Sequence, residues 1–201
     1  LENPYQEDKV RAMELQSPQQ RVTPLFDEKF RPQLHFTPER NWMNDPNGLV
    51  FYKGKYHLFY QHNPEGNLWG NMSWGHATSA DLMKWEHLPV AIMHDETFGI
   101  FSGSVVIDYT NSAGFGSLDN PAMVAIYTAH NHDGSHQSQH LAFTLDEGVT
   151  WTKYEGNPVL DINLPNFRDP KVSWIDGQWI MTLALPQEFK ISFYSSPNLK
   201  E

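Results

Sequence analysis

The segment SADLMKW, residues 79–85, is the strongest indication of the fold, because two later segments resemble it. TLDEGVTW follows at residues 144–151, and SPNLKE follows at residues 196–201. The first two segments end in Trp, and the third stops one residue before the position where Trp is expected. A repeat of roughly 40–50 residues or somewhat longer, in a chain built from strands, is typical of the blades of a β-propeller.

Two predicted β-hairpins support this repeat. Each consists of two short apolar runs around a turn that contains glycine, and such a pattern is typical of hairpins. The paired runs are residues 49–52 and 56–60 around Lys53-Gly54-Lys55, and residues 172–175 and 179–183 around Asp176-Gly177-Gln178. Further strands are predicted at residues 104–107 and 123–128.

No long segment after residue 34 has the period of an α-helix, so we predict an all-β chain. The repeats divide it into about two and a half blades, at residues 42–92, 101–160 and from Phe167 onward. Because propellers close with about 4–8 blades, residues 34–201 are predicted to form an incomplete propeller. Residues 1–33 are predicted to be a polar lead-in with a short helix at about residues 8–15.

Composition excludes several classes of function. The chain has 14 basic and 24 acidic residues and a formal net charge of −10, which argues against nucleic acid as a partner. It has no cysteine, so disulfides, zinc–thiolate sites and a catalytic thiol are excluded. No apolar stretch approaches the roughly 18 residues of a membrane span. The 7 Trp, 8 Tyr and 12 Phe residues suffice for a sizeable core.

Two Asp-Pro pairs precede the predicted hairpins at similar distances. Asp45-Pro46 begins nine residues before Gly54, and Asp169-Pro170 begins eight before Gly177. If both pairs open the inner strands of different blades, Asp45 and Asp169 face each other across a central pocket, and two converging carboxylates suit glycoside chemistry. The alternative is local, since the sequence DPNG at residues 45–48 also fits a type I turn.

Other side chains admit two interpretations each. Four histidines lie close together in the sequence, namely His130, His132, His136 and His140. They could bind zinc or belong to an ordinary polar loop. The loop is favoured because the histidines do not have the spacing of a zinc site on a helix. Four aromatic residues could stack on sugar rings or pack in the core; they are Trp69, Trp74, Phe98 and Phe101. Arg168 could orient Asp169 or form a surface ion pair.

Five motifs in order resemble glycoside hydrolase family 32, which contains invertases, levanases and inulinases. They are WMNDPNG (42–48), FYQHNP (59–64), Trp69-Gly70, FSGS (101–104) and FRDP (167–170). The resemblance extends from about Leu34 to Glu201. It implies a five-bladed propeller, usually followed by a β-sandwich, and no cofactor or metal.

The resemblance also implies roles by position. Asp45 matches the nucleophile of a retaining reaction, and Asp169 with Arg168 matches the motif that stabilises the transition state. The matching positions that line the fructose pocket are Asn44, Gln61, Trp69, Phe101 and Ser102. The implied substrates are sucrose or fructans such as levan and inulin, cleaved at β-fructofuranosyl linkages. The acidic isoelectric point, together with sugar substrates, favours an extracytoplasmic location.

One part of the family pattern is missing. The general acid/base of the family is a Glu in a Trp-Glu-Cys-Pro-like motif after the Arg-Asp-Pro motif, and neither Glu188 nor Glu201 has such neighbours. We therefore expect the chain to be the N-terminal part of a family member, poorly active alone. A non-catalytic or vestigial fructan-binding module is the alternative, and a five-bladed glycosidase acting on arabinans is a third possibility.

Overall fold

The structure is a computed structural model that describes residues 26–201. The chain divides into two units between Arg31 and Pro32. In the described part of the first unit, Arg31 pairs with the carboxylate of Glu28. The helix predicted at about residues 8–15 and most of the predicted lead-in lie outside the described residues.

The second unit is built from strands, as predicted. Twelve strands follow one another along the chain: β1 (Met43–Tyr52), β2 (Lys55–His62), β3 (Ser73–Ser79), β4 (Glu86–Ile92), β5 (Phe98–Ile107), β6 (Met123–Asn131), β7 (Gln137–Thr144), β8 (Thr152–Lys153), β9 (Leu160–Leu164), β10 (Arg168–Ile175), β11 (Gln178–Leu185) and β12 (Lys190–Ser196). Within residues 26–201, one 3₁₀ turn at Pro186–Glu188 is the sole helical element. That described part therefore contains no helix long and apolar enough to cross a membrane.

The strands form three antiparallel sheets that correspond to the predicted blades. The first sheet has the order β1-β2-β3-β4, and the second has the order β5-β6-β7-β8 with β9 also paired to β7. The third sheet has the order β10-β11-β12. Because β5 packs against both β1 and β10, the first strands of the three sheets lie side by side. This is the arrangement of inner strands in part of a propeller.

Both predicted hairpins are present, and their turns explain the glycines. Lys53 and Gly54 have φ values of 47° and 84°, and Asp176 and Gly177 have values of 49° and 86°. Two consecutive positive φ values define a type I′ turn, whose twist matches that of the flanking strands. Glycine at the second position satisfies this geometry without steric cost.

The three repeated segments adopt the same local structure. Each segment begins with a hydroxyl residue, which is the last residue of the third strand of its sheet. The hydroxyl oxygen accepts a hydrogen bond from the backbone N–H two positions later. The pairs are Ser79 with Asp81, Thr144 with Asp146 and Ser196 with Asn198. The residue three positions after each hydroxyl has a positive φ; these are Leu82 at 64°, Glu147 at 60° and Leu199 at 67°. The repeat therefore encodes one turn that leads out of each third strand.

Three apolar clusters of the described residues hold the sheets together, and the smallest packs Phe167 and Leu183 against Leu160 of β9. The first cluster joins the first and second sheets, with the buried rings of Phe59 and Trp74 packed among residues such as Ile100 and Tyr127. The second cluster joins the second and third sheets around Val124, Leu141, Val172 and Trp179. Burial of these apolar surfaces between neighbouring sheets holds the sheets against one another.

Candidate active site

A depression of about 230 Å³ lies where the first strands of the three sheets meet. All eight residues to which the family resemblance gives a role line this depression: Asn44, Asp45, Gln61, Trp69, Phe101, Ser102, Arg168 and Asp169. Met72 also lines it, and no sequence motif pointed to this residue. The depression has two carboxylates, one guanidinium and two aromatic rings.

The first strand of each sheet is irregular where it meets the depression. The pairing register shifts between Met43 and Pro46 in β1, between Ile100 and Gly103 in β5, and between Arg168 and Lys171 in β10. Bulges re-aim side chains and are over-represented next to active sites. The type I turn considered as the alternative at residues 45–48 is absent, because the segment belongs to β1, where a second register shift follows Asn47.

Asp45 is an exposed carboxylate held by a hydroxyl from the neighbouring sheet. The Ser102 hydroxyl donates a hydrogen bond of 2.8 Å to Oδ2 of Asp45. Close by, the Gly103 backbone N–H donates to Oδ1 of the buried Asn47 at 3.2 Å, which ties β5 to β1. These two contacts across the sheets set the place of Asp45 relative to Phe101 and Ser102.

Asp169 occupies a backbone conformation that is rare for a residue other than glycine. Its φ is 63°, in the left-handed region, and such residues persist where the surrounding structure determines them. Partial removal from water raises the pKa of the Asp169 carboxyl, the Arg168 guanidinium lowers that pKa, and the Asp45 carboxylate raises it. The Asp45 carboxylate thus lies close enough to contribute to the raised pKa of Asp169.

The four aromatic candidates divide into two groups. Trp69 is 63% exposed and meets the ring of Phe101 edge to face, at 6.3 Å between centroids, so both can offer a surface to a ligand. Trp74 is fully buried, and its indole N–H donates to the Phe101 carbonyl at 3.0 Å. Phe98 packs against the first core cluster. Trp74 and Phe98 are therefore packing residues.

The remaining polar candidates are held in different ways. The side-chain amide of Gln61 is buried and donates to the carbonyl of Ile100 at 3.0 Å, whereas Asn44 is exposed. Arg168 forms no salt bridge with any residue of the described range, so the surface ion pair considered from the sequence is absent there. Its side chain lines the depression together with Asp169.

The histidines do not form a metal site. Within residues 26–201 the structure has no group of three or more His, Cys, Asp or Glu residues that could hold a metal ion. The polar-loop interpretation holds for His132 and His136, whereas His130 and His140 lie in β6 and β7. His130 stacks on Phe101 with ring centroids 4.3 Å apart, and thus supports one wall of the depression.

Comparison with known proteins decides the family. The pattern described as "Glycosyl hydrolases family 32 N-terminal domain" matches residues 35–201, which is most of the chain. The chain belongs to glycosyl hydrolase family 32. Each of the five ordered motifs contributes at least one residue to the depression, and the motifs lie on β1, at the end of β2, on the loop after it, on β5 and at the start of β10.

Similar proteins are named as a levanase, an exo-inulinase and an invertase. The chain is 54% identical to a levanase of Bacillus subtilis (strain 168) over 179 residues, covering 88% of the chain and 26% of that protein. It is 43% identical to an extracellular exo-inulinase of Aspergillus niger, covering 88% of the chain and 38% of that protein. It is 46% identical to invertase 2 of Saccharomyces cerevisiae, covering 85% and 33%.

Solved family 32 structures have the same fold. An exo-inulinase from Aspergillus awamori superimposes with a TM-score of 0.82 at 42% identity, covering 88% of this chain and 39% of the other. A fructofuranosidase from Schwanniomyces occidentalis complexed with fructose gives 0.81 at 47% identity, covering 85% and 35%. The chain thus spans about a quarter to two fifths of the relatives that it matches.

Proposed function

We propose that the full-length protein hydrolyses β-fructofuranosyl linkages in sucrose or in fructans such as levan and inulin. The observation that carries this proposal is the convergence of Asp45 and Asp169, from two different sheets, on one depression walled by aromatic rings. Two carboxylates around a sugar-sized site are what glycoside hydrolysis through an oxocarbenium-like transition state needs. The names of similar family members support the substrate class.

In this proposal the reaction retains the configuration of the anomeric carbon. Asp45 attacks that carbon while its bond to the glycosidic oxygen breaks, and the leaving sugar takes a proton from the general acid. Water then displaces Asp45 from the covalent fructosyl intermediate and gives a proton back to the same group, so that two easier steps replace one difficult step. The Ser102 hydroxyl holds Oδ2 of Asp45 and leaves Oδ1 for the attack. Asp169 and Arg168 bind hydroxyl groups of the fructosyl unit, and Asn44, Gln61, Trp69 and Phe101 complete the pocket.

The proton donor is the part that the described residues do not supply. No glutamate within residues 26–201 lines the depression. We assign proton donation to a glutamate of the full-length protein outside this range, in the rest of a five-bladed propeller that a β-sandwich follows. Loss of acid/base help costs about 10²–10⁴ in rate, so the chain alone is expected to be poorly active. An extracytoplasmic location is proposed because several similar proteins are named extracellular.

Covalent trapping tests this proposal. The full-length protein is incubated with a slowly hydrolysed fructosyl analogue, and mass spectrometry of its peptides should find the label on Asp45. The variant Asp45→Asn should lose the label and hydrolysis of sucrose, inulin and levan, while calorimetry still detects binding. Binding without hydrolysis by the wild-type protein would instead favour a non-catalytic fructan-binding module.

A further inference from the structure

Three side chains of the second sheet hold the backbone that carries Asp169. The Phe167 N–H donates to Oε1 of Gln137 at 3.0 Å, and the Phe167 carbonyl accepts from Nε2 of Gln139 at 2.7 Å. The Asp169 N–H donates to Oγ1 of Thr128 at 3.1 Å. We refer to Thr128, Gln137 and Gln139 as the polar cradle. It satisfies three main-chain groups on the two residues that flank Arg168.

The polar cradle is internally fixed. Its three side chains are at most 1% exposed, and the Thr128 hydroxyl donates to Oε1 of Gln139 at 3.1 Å. Because the amide nitrogen of Gln139 donates to a carbonyl, its oxygen accepts the one hydroxyl proton of Thr128. The Thr128 oxygen is then left to accept the Asp169 N–H. Donor and acceptor directions are therefore determined along the whole chain of bonds.

The cradle also reaches the aromatic wall of the depression. Since Oε1 of Gln137 accepts from Phe167, its Nε2 is the donor toward Nδ1 of His130, at 3.2 Å. The His130 ring stacks on Phe101, which lines the depression. One set of buried amides thus relates the position of Asp169 to that of the aromatic wall.

The location of these bonds indicates a role beyond filling the interface. Asp169 is the one residue of β10 with a positive φ, and the cradle binds β10 at this residue. We infer that Thr128, Gln137 and Gln139 are positioning residues that place the Asp169 carboxylate for the reaction, an inference that rests on the proposed function. A displacement of about 1 Å in a catalytic group can cost about 10²-fold in rate.

Substitution of Thr128 tests the inference in the full-length enzyme. Thr128→Val keeps the shape of the side chain but removes the acceptor of the Asp169 N–H. We expect kcat/KM for sucrose and inulin to fall about 10- to 100-fold, mainly through kcat. Thr128→Ser retains the hydroxyl and should stay within about 3-fold of wild type. If Thr128→Val does not fold, Gln137→Met, which removes the acceptor of the Phe167 N–H, takes its place with the same expected loss.

A matched control separates positioning from general loosening of the interface. Ser104 is also buried, and its hydroxyl oxygen accepts the Val172 N–H of the same strand at 3.1 Å, but Ser104 does not line the depression. Ser104→Ala should lower the Tm about as much as Thr128→Val and leave kcat/KM within about 3-fold. Equal losses of activity in the two variants would overturn the inference.

The decisive measurement is a double-mutant cycle with Asp169→Asn. If the cradle acts through the carboxylate, Thr128→Val should change the residual activity of Asp169→Asn by less than about 3-fold. An unchanged 10- to 100-fold loss in that background would show a merely structural role and overturn the inference. If the wild-type protein does not hydrolyse these sugars, both the proposed function and this inference are overturned. If the wild type is active and Thr128→Val is equally active, only the inference is overturned.

Discussion

Replacement of His76 by glutamine should make the propeller less sensitive to acid. His76 is fully buried between the first and second sheets, where its ring stacks on Phe59 with centroids 4.2 Å apart. Its Nδ1 lies 3.2 Å from the Gly148 carbonyl and its Nε2 lies 3.1 Å from Nδ1 of His57. A carbonyl only accepts, so Nδ1 of His76 carries the proton and Nε2 accepts from His57. A second proton on His76 would face the N–H of His57.

The size of the effect follows from the pKa of His76. Burial, with a further contribution from His57 and partial opposition from the Gly148 carbonyl, lowers this pKa from 6.5 to about 3. Between these two values the unfolded chain binds a proton that the folded chain rejects, so stability falls as the pH falls. One such group loses about 1.4 kcal/mol per pH unit, or about 2–3 kcal/mol between pH 7 and pH 4.5.

Urea unfolding of the full-length protein, followed by tryptophan fluorescence at pH 7 and pH 4.5, measures this loss. His76→Gln and His76→Phe both remove the titrating group, and both should lose about 2–3 kcal/mol less than wild type over this pH range. They should differ at pH 7, because glutamine can still bond to Gly148 and phenylalanine cannot. If the wild type and both variants lose stability in parallel, the buried neutral histidine is not the cause.

Three further predictions concern the depression and the sheets. Asp169→Asn should raise the Tm at neutral pH, because folding raises the pKa of Asp169 and so disfavours its ionised form. The gain should disappear in acid, below the ordinary aspartate pKa, and calorimetry that found the same gain in Tm at every pH would refute this. Gly103→Ala should lower the free energy of unfolding in urea titrations by roughly 3 kcal/mol, because the new Cβ would lie 2.1 Å from the backbone oxygen of Ile126. A loss below about 1 kcal/mol would contradict this close approach of β5 and β6. Trp69→Ala should raise KM for sucrose up to about tenfold with an unchanged Tm, because the exposed ring offers its surface to the sugar. An unaltered KM would show that Trp69 does not contact the substrate.

Local chemistry explains which expectations from the sequence are confirmed. The glycine-containing turns, the hydroxyl residue that begins each repeat and the alternation of short apolar runs act over a few residues, so the strands, the hairpins and the blades could be predicted. The family motifs identified the residues of the depression in the same way, because each motif is a short contiguous segment.

Other features depend on contacts between distant segments. The sequence DPNG is suited to a turn, yet pairing with β2 draws residues 45–48 into a bulged strand. Trp69 and Trp74 are five residues apart, but one is exposed at the depression and the other is buried, because only Trp74 lies on a strand that packs against the second sheet. Period and composition could not distinguish them.

The sequence by itself determined that this chain is made of strands, repeats one blade-like unit, carries two Asp-Pro pairs and has the motifs of family 32. Only the tertiary structure decided that Asp45 and Asp169 share one depression and that Thr128, Gln137 and Gln139 hold the backbone of Asp169. The physical reason is that turn and strand preferences act between neighbours in the chain. Convergence of side chains from three sheets arises only when apolar burial packs the sheets around a common axis.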